Sequence, residues 1–196
     1  MMKGAACIKK GILLSFLLLA SVLTGCVQLS DAEQDAQENA YLAQRLFVAD
    51  FDCNYDLLYQ LTEDVLASGS DLSGAQGEIC LLNDTSAKLF FSYHSCEIQN
   101  DFLPENLQEA LDAYYEAFWQ YIEALAQYTA THEYMSPEMT RALQQMVENL
   151  PQQTPYLIKY ELFDLDDAET EQVVSWLYEC TDDLLLVVQQ AEAESA

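Results

Sequence analysis

The sequence predicts a mainly α protein: a disulfide-stabilised helical bundle carrying one small β-hairpin. Three observations lead there. Apolar residues recur by fours and threes over residues 107–128 and again over 173–187, the spacing that lines one face of an α-helix. Prolines and capping residues cut the chain into helix-length pieces, as at Ser136-Pro137-Glu138 and before Pro151. Cysteines Cys53, Cys80, Cys96 and Cys180 form an even set, enough for two cross-links. With 196 residues, 51% of them hydrophobic, the chain is long enough for one domain with a sizeable core.

The N-terminus is organised differently from the rest. Lys3, Lys9 and Lys10 precede residues 12–22, which are apolar except for Ser15 and Ser21. That core falls short of the roughly 20 apolar residues a membrane span requires. A basic start, a short apolar core and small residues at the end make a secretory signal peptide. It closes on Leu23-Thr24-Gly25-Cys26. This run resembles the lipobox of bacterial lipoproteins. The resemblance implies cleavage before Cys26, acylation of that cysteine, and residence on a membrane facing the periplasm or exterior. Val27 stands where an aspartate would favour inner-membrane retention in enterobacteria-like systems, so the resemblance further implies outer-membrane delivery. Each buried CH₂ contributes about 0.8 kcal/mol, so two or more acyl chains hold a domain to the bilayer where one would not. The expected organisation is a signal peptide over 1–25, a lipidated N-terminus and tether over 26–40, one acidic helical domain over 41–190 and a polar tail over 191–196.

Ser30-Asp31-Ala32-Glu33 has the form of a capping box. Residues 31–40 carry few large apolar side chains and read as a tether or as the exposed first turns of a helix. From Tyr41 the pattern is helical: Leu42, Leu46, Cys53, Leu57 and Leu61 fall near one face, with Phe47, Phe51, Leu58 and Val65 beside it. Asn54 leaves open whether this is one helix or two. Ser68-Gly69-Ser70 ends it, Gly69 being suited to a left-handed C-terminal turn. Three of the six glycines, Gly69, Gly74 and Gly77, fall within residues 69–77, which read as a loop. Residues 78–82 and 88–93 flank Asn83-Asp84-Thr85-Ser86, whose side chains suit a turn, and together read as the hairpin.

Pro104 opens the clearest helix, over about 107–128. Leu107, Leu111, Tyr114, Phe118, Tyr121, Leu125 and Tyr128 form its stripe, and Tyr115, Trp119 and Ile122 widen it, as expected of a central helix. The next helix starts at Ser136-Pro137-Glu138 and ends before Pro151. Residues 156–163 fit a strand or a short helix. The acidic turn Asp164-Leu165-Asp166-Asp167 caps the last helix, whose stripe is Val173, Leu177, Cys180, Leu184 and Val187.

In an exported domain the four remaining cysteines are expected to pair. Spacing alone leaves three connectivities open. Cys53 and Cys180 both fall in apolar helical stripes, which favours a bridge between the first and last helices, with Cys80–Cys96 across the hairpin region. Chain entropy would give the longer loop about 5 kcal/mol and the shorter about 3. Zinc is disfavoured, since there is no C-x-x-C pair.

Charge sets the partner class. After Cys26 only Arg45, Lys88, Arg141 and Lys159 are basic, and four cations against 33 acids leave a formal −29. That excludes nucleic acid and disfavours electrostatic docking to anionic lipid. Two explanations of the acidity stand: a partner with a basic face, or adaptation to a salty medium.

Catalytic constellations are thin, which argues against an enzyme. His94 in Ser92-Tyr93-His94-Ser95 has no Gly-x-Ser-x-Gly elbow to serve. His132-Glu133 opens like a zincin motif, but Ser136 stands where the second histidine belongs. Asp164, Asp166, Asp167, Glu169 and Glu171 lack the glycine and terminal glutamate of a calcium loop. Tyr114, Tyr115, Phe118, Trp119 and Tyr121 are of the type that stacks on sugars, but their helical spacing favours core packing. No metal or cofactor site emerges. The expected function is a membrane-tethered cell-envelope binding or scaffolding protein of adaptor or inhibitor type. The alternative is an envelope hydrolase acting on peptidoglycan or glycan through acidic residues. In plan alone the chain is similar to the pilotins, small helical lipoproteins that escort secretins.

Overall fold

A computed structural model describes residues 31–69, 71–83 and 103–195. The chain divides into two units, residues 1–40 and 41–196. The described part of the first is the opening turns of a helix. Everything below concerns the second.

Among the described residues all regular structure is helical: α1 (Asp31–Ala67), α2 (Ser73–Asn83), α3 (Glu105–Thr131), α4 (Pro137–Asn149), a π-helical turn (Leu157–Glu161) and α5 (Asp167–Ser195). The bundle is built around α3, which packs most extensively on α5 and also meets α2. Its stripe explains this position, because Leu107, Leu111, Tyr114, Tyr115, Phe118, Tyr121, Ile122 and Leu125 are all buried. A helix apolar over so much of its girth must be enclosed by others. Aromatic rings join the layers: Phe51 of α1 lies 5.5 Å from Tyr114, and Tyr55 lies 5.6 Å from Trp176 of α5. The aromatic cluster of α3 is core, with only Trp119 half-buried.

Helix ends follow their capping residues. Ser136 Oγ accepts from the Met139 N–H at 2.9 Å and Pro137 takes the first helical position, opening α4 as expected. At α5, Asp166 and Glu169 cap reciprocally: the Glu169 N–H donates to Asp166 at 2.9 Å and the Asp166 N–H to Glu169 at 3.0 Å. The stripe Val173, Leu177, Cys180, Leu184 and Val187 is buried throughout.

Several expectations are corrected. Residues 78–82 lie inside α2 and so are not a strand; residues 88–93, the other half of the expected hairpin, lie outside the described residues. The 69–77 loop is correspondingly shorter, since Gly74 and Gly77 are helical and face open space. No glycine among the described residues has a positive φ, so Gly69 does not end α1 in a left-handed turn. Instead the Met135 N–H donates to the Gly69 carbonyl and the Leu72 N–H to the Glu133 carbonyl, both at 3.1 Å, stitching this bend to the α3–α4 connection. The chain from Asp31 through Asn54 to Ala67 is one helix, with Asn54 buried and its amide on Asp50.

The face that α1 buries also differs. Phe47, Phe51, Tyr55, Leu58, Leu61 and Val65 are buried, whereas Leu42 and Leu46 are 57% and 68% exposed. Cys53 shares that outer side, while Cys180 is buried in α5. The expected Cys53–Cys180 bridge is therefore not formed: the two thiols face opposite environments, and Cys53, Cys80 and Cys180 are all free. Cys96, the expected partner of Cys80, lies outside the described residues. The expected tail is instead the last turn of α5, with Ala191 buried and Glu194 bonded to Ser136.

Candidate functional site

Two surface features stand out from the helical frame. The first is a groove of about 460 Å³ between the start of this unit, at Tyr41, and the π-helical turn. Tyr41, Arg45 and Asp52 of α1 form one wall, and Lys159, Tyr160 and Phe163 the other. The turn is held down by Ile158 and Leu162, both buried, which leaves Lys159 and Tyr160 pointing outward. Lys159 Nζ lies 2.8 Å from Asp52 Oδ2 and bridges the walls. Burial alone would raise Asp52, but its bond to the Lys159 ammonium and that group's charge hold the carboxyl below the usual range. The same Asp52 bond raises Lys159, so both partners stay charged. The Arg45 guanidinium lies over the Tyr41 ring, 5.9 Å from its centroid. Beyond the groove, the Tyr156 and Tyr160 rings meet at a tilt of 40°, centroids 4.9 Å apart.

The second feature is a depression of about 410 Å³ on α5, lined by Trp176, Glu179, Asp182 and Asp183 with Asn149 of α4. Asn149 donates to both Asp183 oxygens at 3.0 Å. Burial raises the Asp183 carboxyl, the Asn149 bond opposes this, and the charges of Asp182 and Glu179 push it up further. Beneath it burial also raises the Cys180 thiol, with Asp183 and Glu179 adding to the effect, so Cys180 is an unreactive thiol.

A third polar cluster is structural. Glu194 of α5 accepts from Ser136 Oγ at 2.6 Å, from Tyr128 OH at 3.0 Å, and from Gln190. Burial would raise Glu194, but these bonds, aided by the positive field of His132, hold it below the ordinary carboxylate range. His132 stacks on Tyr128, ring centroids 4.3 Å apart, and its Nδ1 meets the Tyr128 carbonyl and Thr131, not Ser136. The Ser136 hydroxyl thus caps α4 and donates to Glu194, and His132 does not pair with it.

Of the sequence-predicted residues, Cys26, Cys96 and His94 lie outside the described residues. Cys53 and Cys80 are exposed and Cys180 is buried, with no pair brought together among them. Asp166 and Glu169 are a helix cap. Among the described residues no group of three His, Cys, Asp or Glu side chains is disposed to hold a metal, and no helix is long and apolar enough to cross a membrane. Sequence reasoning missed the groove. Its one legible signal was the scarcity of cations, two of which, Arg45 and Lys159, meet there from opposite parts of the chain. Comparison with known proteins yields no match to this chain from any family model, curated protein or solved structure.

Proposed function

We propose that this protein is a cell-envelope lipoprotein, tethered through acylated Cys26 on the periplasmic side of the outer membrane, that binds a protein partner with a basic face. The tether rests on the Leu23-Thr24-Gly25-Cys26 run and its basic, apolar lead. The observation that carries the binding reading is the depression beside Trp176. There Glu179, Asp182 and Asp183 line one hollow, and burial, with the charges of Asp182 and Glu179 adding to it, raises the Asp183 carboxyl against the bond from Asn149. A lysine or arginine set against them would relieve that repulsion, and the indole offers an apolar and cation–π contact beside it. The formal −29 carried from Cys26 onward would accelerate the encounter. In an oxidising compartment this reading retains Cys80–Cys96 as a disulfide and leaves the Cys180 thiol reduced.

The test is a pull-down from envelope extract across a salt series, repeated with Glu179→Gln/Asp182→Asn. Specific binding should weaken steeply with salt and be lost in the variant. Binding indifferent to both would overturn the electrostatic partner. Intact-mass analysis showing an unmodified N-terminus would remove the tether.

A further inference from the structure

We infer that the outer face of α1 pairs with the same face of a second copy of this chain, the two helices lying parallel about a two-fold axis. The pairing goes beyond the basic-partner reading, uses a different surface and does not depend on the lipid anchor.

The face is an apolar stripe left outside the bundle. Leu42, Leu46, Ala49 and Cys53 follow one another by four, three and four, and all are exposed. Leu42 and Leu46, 57% and 68% exposed, are the large aliphatic side chains most open to solvent among the described residues. Half-buried Leu57 extends the stripe by one turn, with Asp56 beside it. This is the a/d spacing of a two-stranded coiled coil, turned away from the core that Phe47, Phe51, Tyr55 and Leu58 enter.

The borders of the stripe say which partner it takes. With Leu46 and Cys53 at a and Leu42 and Ala49 at d, Arg45 falls at g and Asp50 at e, on opposite flanks. A parallel pair sets each g residue against the e residue five places later on the other helix, so Arg45 of each copy meets Asp50 of the other. Asp50 accepts the Asn54 amide at 3.4 Å and has lone pairs to spare. The contact is self-complementary and closes at two copies. Acidic chains repel one another, but least here. Of the three cations among the described residues, Arg45 borders the stripe and Lys159 lies across the groove that Ala49 also lines. A basic protein would meet those cations, and the acidic depression on α5 suits it better. The parallel register sets the two Cys53 side chains opposite each other in one layer, whereas an antiparallel one sets Cys53 against Leu42.

Copper–phenanthroline oxidation of intact cells expressing the full chain tests this. It links thiols that meet, two thiols losing two electrons to the copper reagent and two protons to solvent. On a non-reducing gel we expect a species of twice the monomer mass, which Cys53→Ser removes and Cys80→Ser, at the other exposed thiol, leaves in place. Leu42→Asp/Leu46→Asp should lower its yield several-fold with the urea midpoint unchanged, since both side chains are exposed. Arg45→Asp should lower it too, and Arg45→Asp/Asp50→Arg, which keeps the net charge and remakes the pair, should recover it. In envelope extract the yield should rise with salt, as repulsion between copies is screened, opposite to the fall expected of a basic partner. The two readings therefore fail separately. A dimer linked through Cys80, or one indifferent to Leu42→Asp/Leu46→Asp, would overturn the pairing. Monomer throughout would overturn it as well, and a Cys53–Cys96 link within one chain would assign the face to residues 84–102 instead.

Discussion

At the scale of single residues, two tyrosines one face apart on α3 show how much a hydroxyl's partner matters. Tyr121 OH and Thr62 Oγ1 lie 2.7 Å apart, both buried. Thr62 gives its only proton to the Leu58 carbonyl at 2.7 Å, so Tyr121 is the donor and both groups are satisfied. Tyr114 is equally buried, yet its hydroxyl has no hydrogen-bond partner among the described residues. Burial raises it strongly, and the neighbouring Cys180 thiol adds to this, so it is never an anion. An unsatisfied buried hydroxyl costs the fold about 1–3 kcal/mol, whereas a satisfied one contributes about 1 kcal/mol. Tyr114→Phe should therefore raise stability by about 1 kcal/mol, and Tyr121→Phe should lower it by a similar amount, because Thr62 also loses a partner. Urea unfolding of the two variants beside the parent measures both. A loss of stability in Tyr114→Phe would mean that its hydroxyl has found a partner, such as a buried water.

At the scale of elements, what the sequence disclosed depended on how many patterns each segment carried. The stripes of α3 and α5 are single, long and flanked by capping residues, so period, start and inner face were all legible. α1 carries two apolar stripes. Leu42, Leu46, Cys53 and Leu57 make one, and Phe47, Phe51, Tyr55, Leu58 and Val65 the other; periodicity finds the helix but does not say which stripe has neighbours. The aromatic stripe won the core because it meets Tyr114, Tyr115 and Trp176, contacts that only the assembled bundle defines. The expected Cys53–Cys180 bridge failed with the face, since Cys53 belongs to the losing stripe. α2 was hidden for a different reason. Gly74 and Gly77 lower its intrinsic helicity, but Leu72, Ala75 and Ile79 are buried against α3, and that packing overrides propensity. Gly77 sits mid-helix, with nothing within 4 Å of where a Cβ would be and no positive φ to satisfy. Gly77→Ala should accordingly raise stability by about 0.8–1 kcal/mol, read as a higher urea midpoint at unchanged slope. An unchanged or lower midpoint would show that residues 73–83 are not helical in solution. The groove was illegible because Arg45 and Lys159 come together only through the docking of the π-helical turn on α1.

At the scale of the whole molecule, charge is the dominant feature, and it acts on stability as well as on partners. Seven basic residues face 33 acids, so the folded chain confines a formal −26 that the unfolded chain can spread out. The few resolved carboxyl shifts oppose one another. Asp183 is raised in the fold by burial, with Asp182 and Glu179 adding, so its charge is unfavourable near neutrality. Stability is regained at Asp183 as pH falls through its folded value toward the unfolded one, about 3.9. Glu194 and Asp52 are lowered by their partners despite burial, so their contribution is complete above the unfolded values, about 4.3 and 3.9. It is lost as pH falls through their folded values, when the clasp of Glu194 on Ser136 and the pairing of Asp52 with Lys159 are both protonated away. Melting temperature should thus rise as pH falls from 7 toward the carboxylate range, where self-repulsion and the Asp183 charge are relieved first, and fall once pH drops through the folded values of Glu194 and Asp52. Salt relieves the same repulsion without protonation, since the Debye length shrinks from about 10 Å at 0.1 M to about 3 Å at 1 M. At pH 7 sodium chloride should therefore raise the melting temperature, and the gain should shrink at pH 5, where less charge remains to screen. Thermal scans over this grid of pH and salt decide the matter. A melting temperature flat in salt at pH 7 would show that the acids are spaced widely enough to be indifferent to one another, and would remove salt adaptation as an account of the composition.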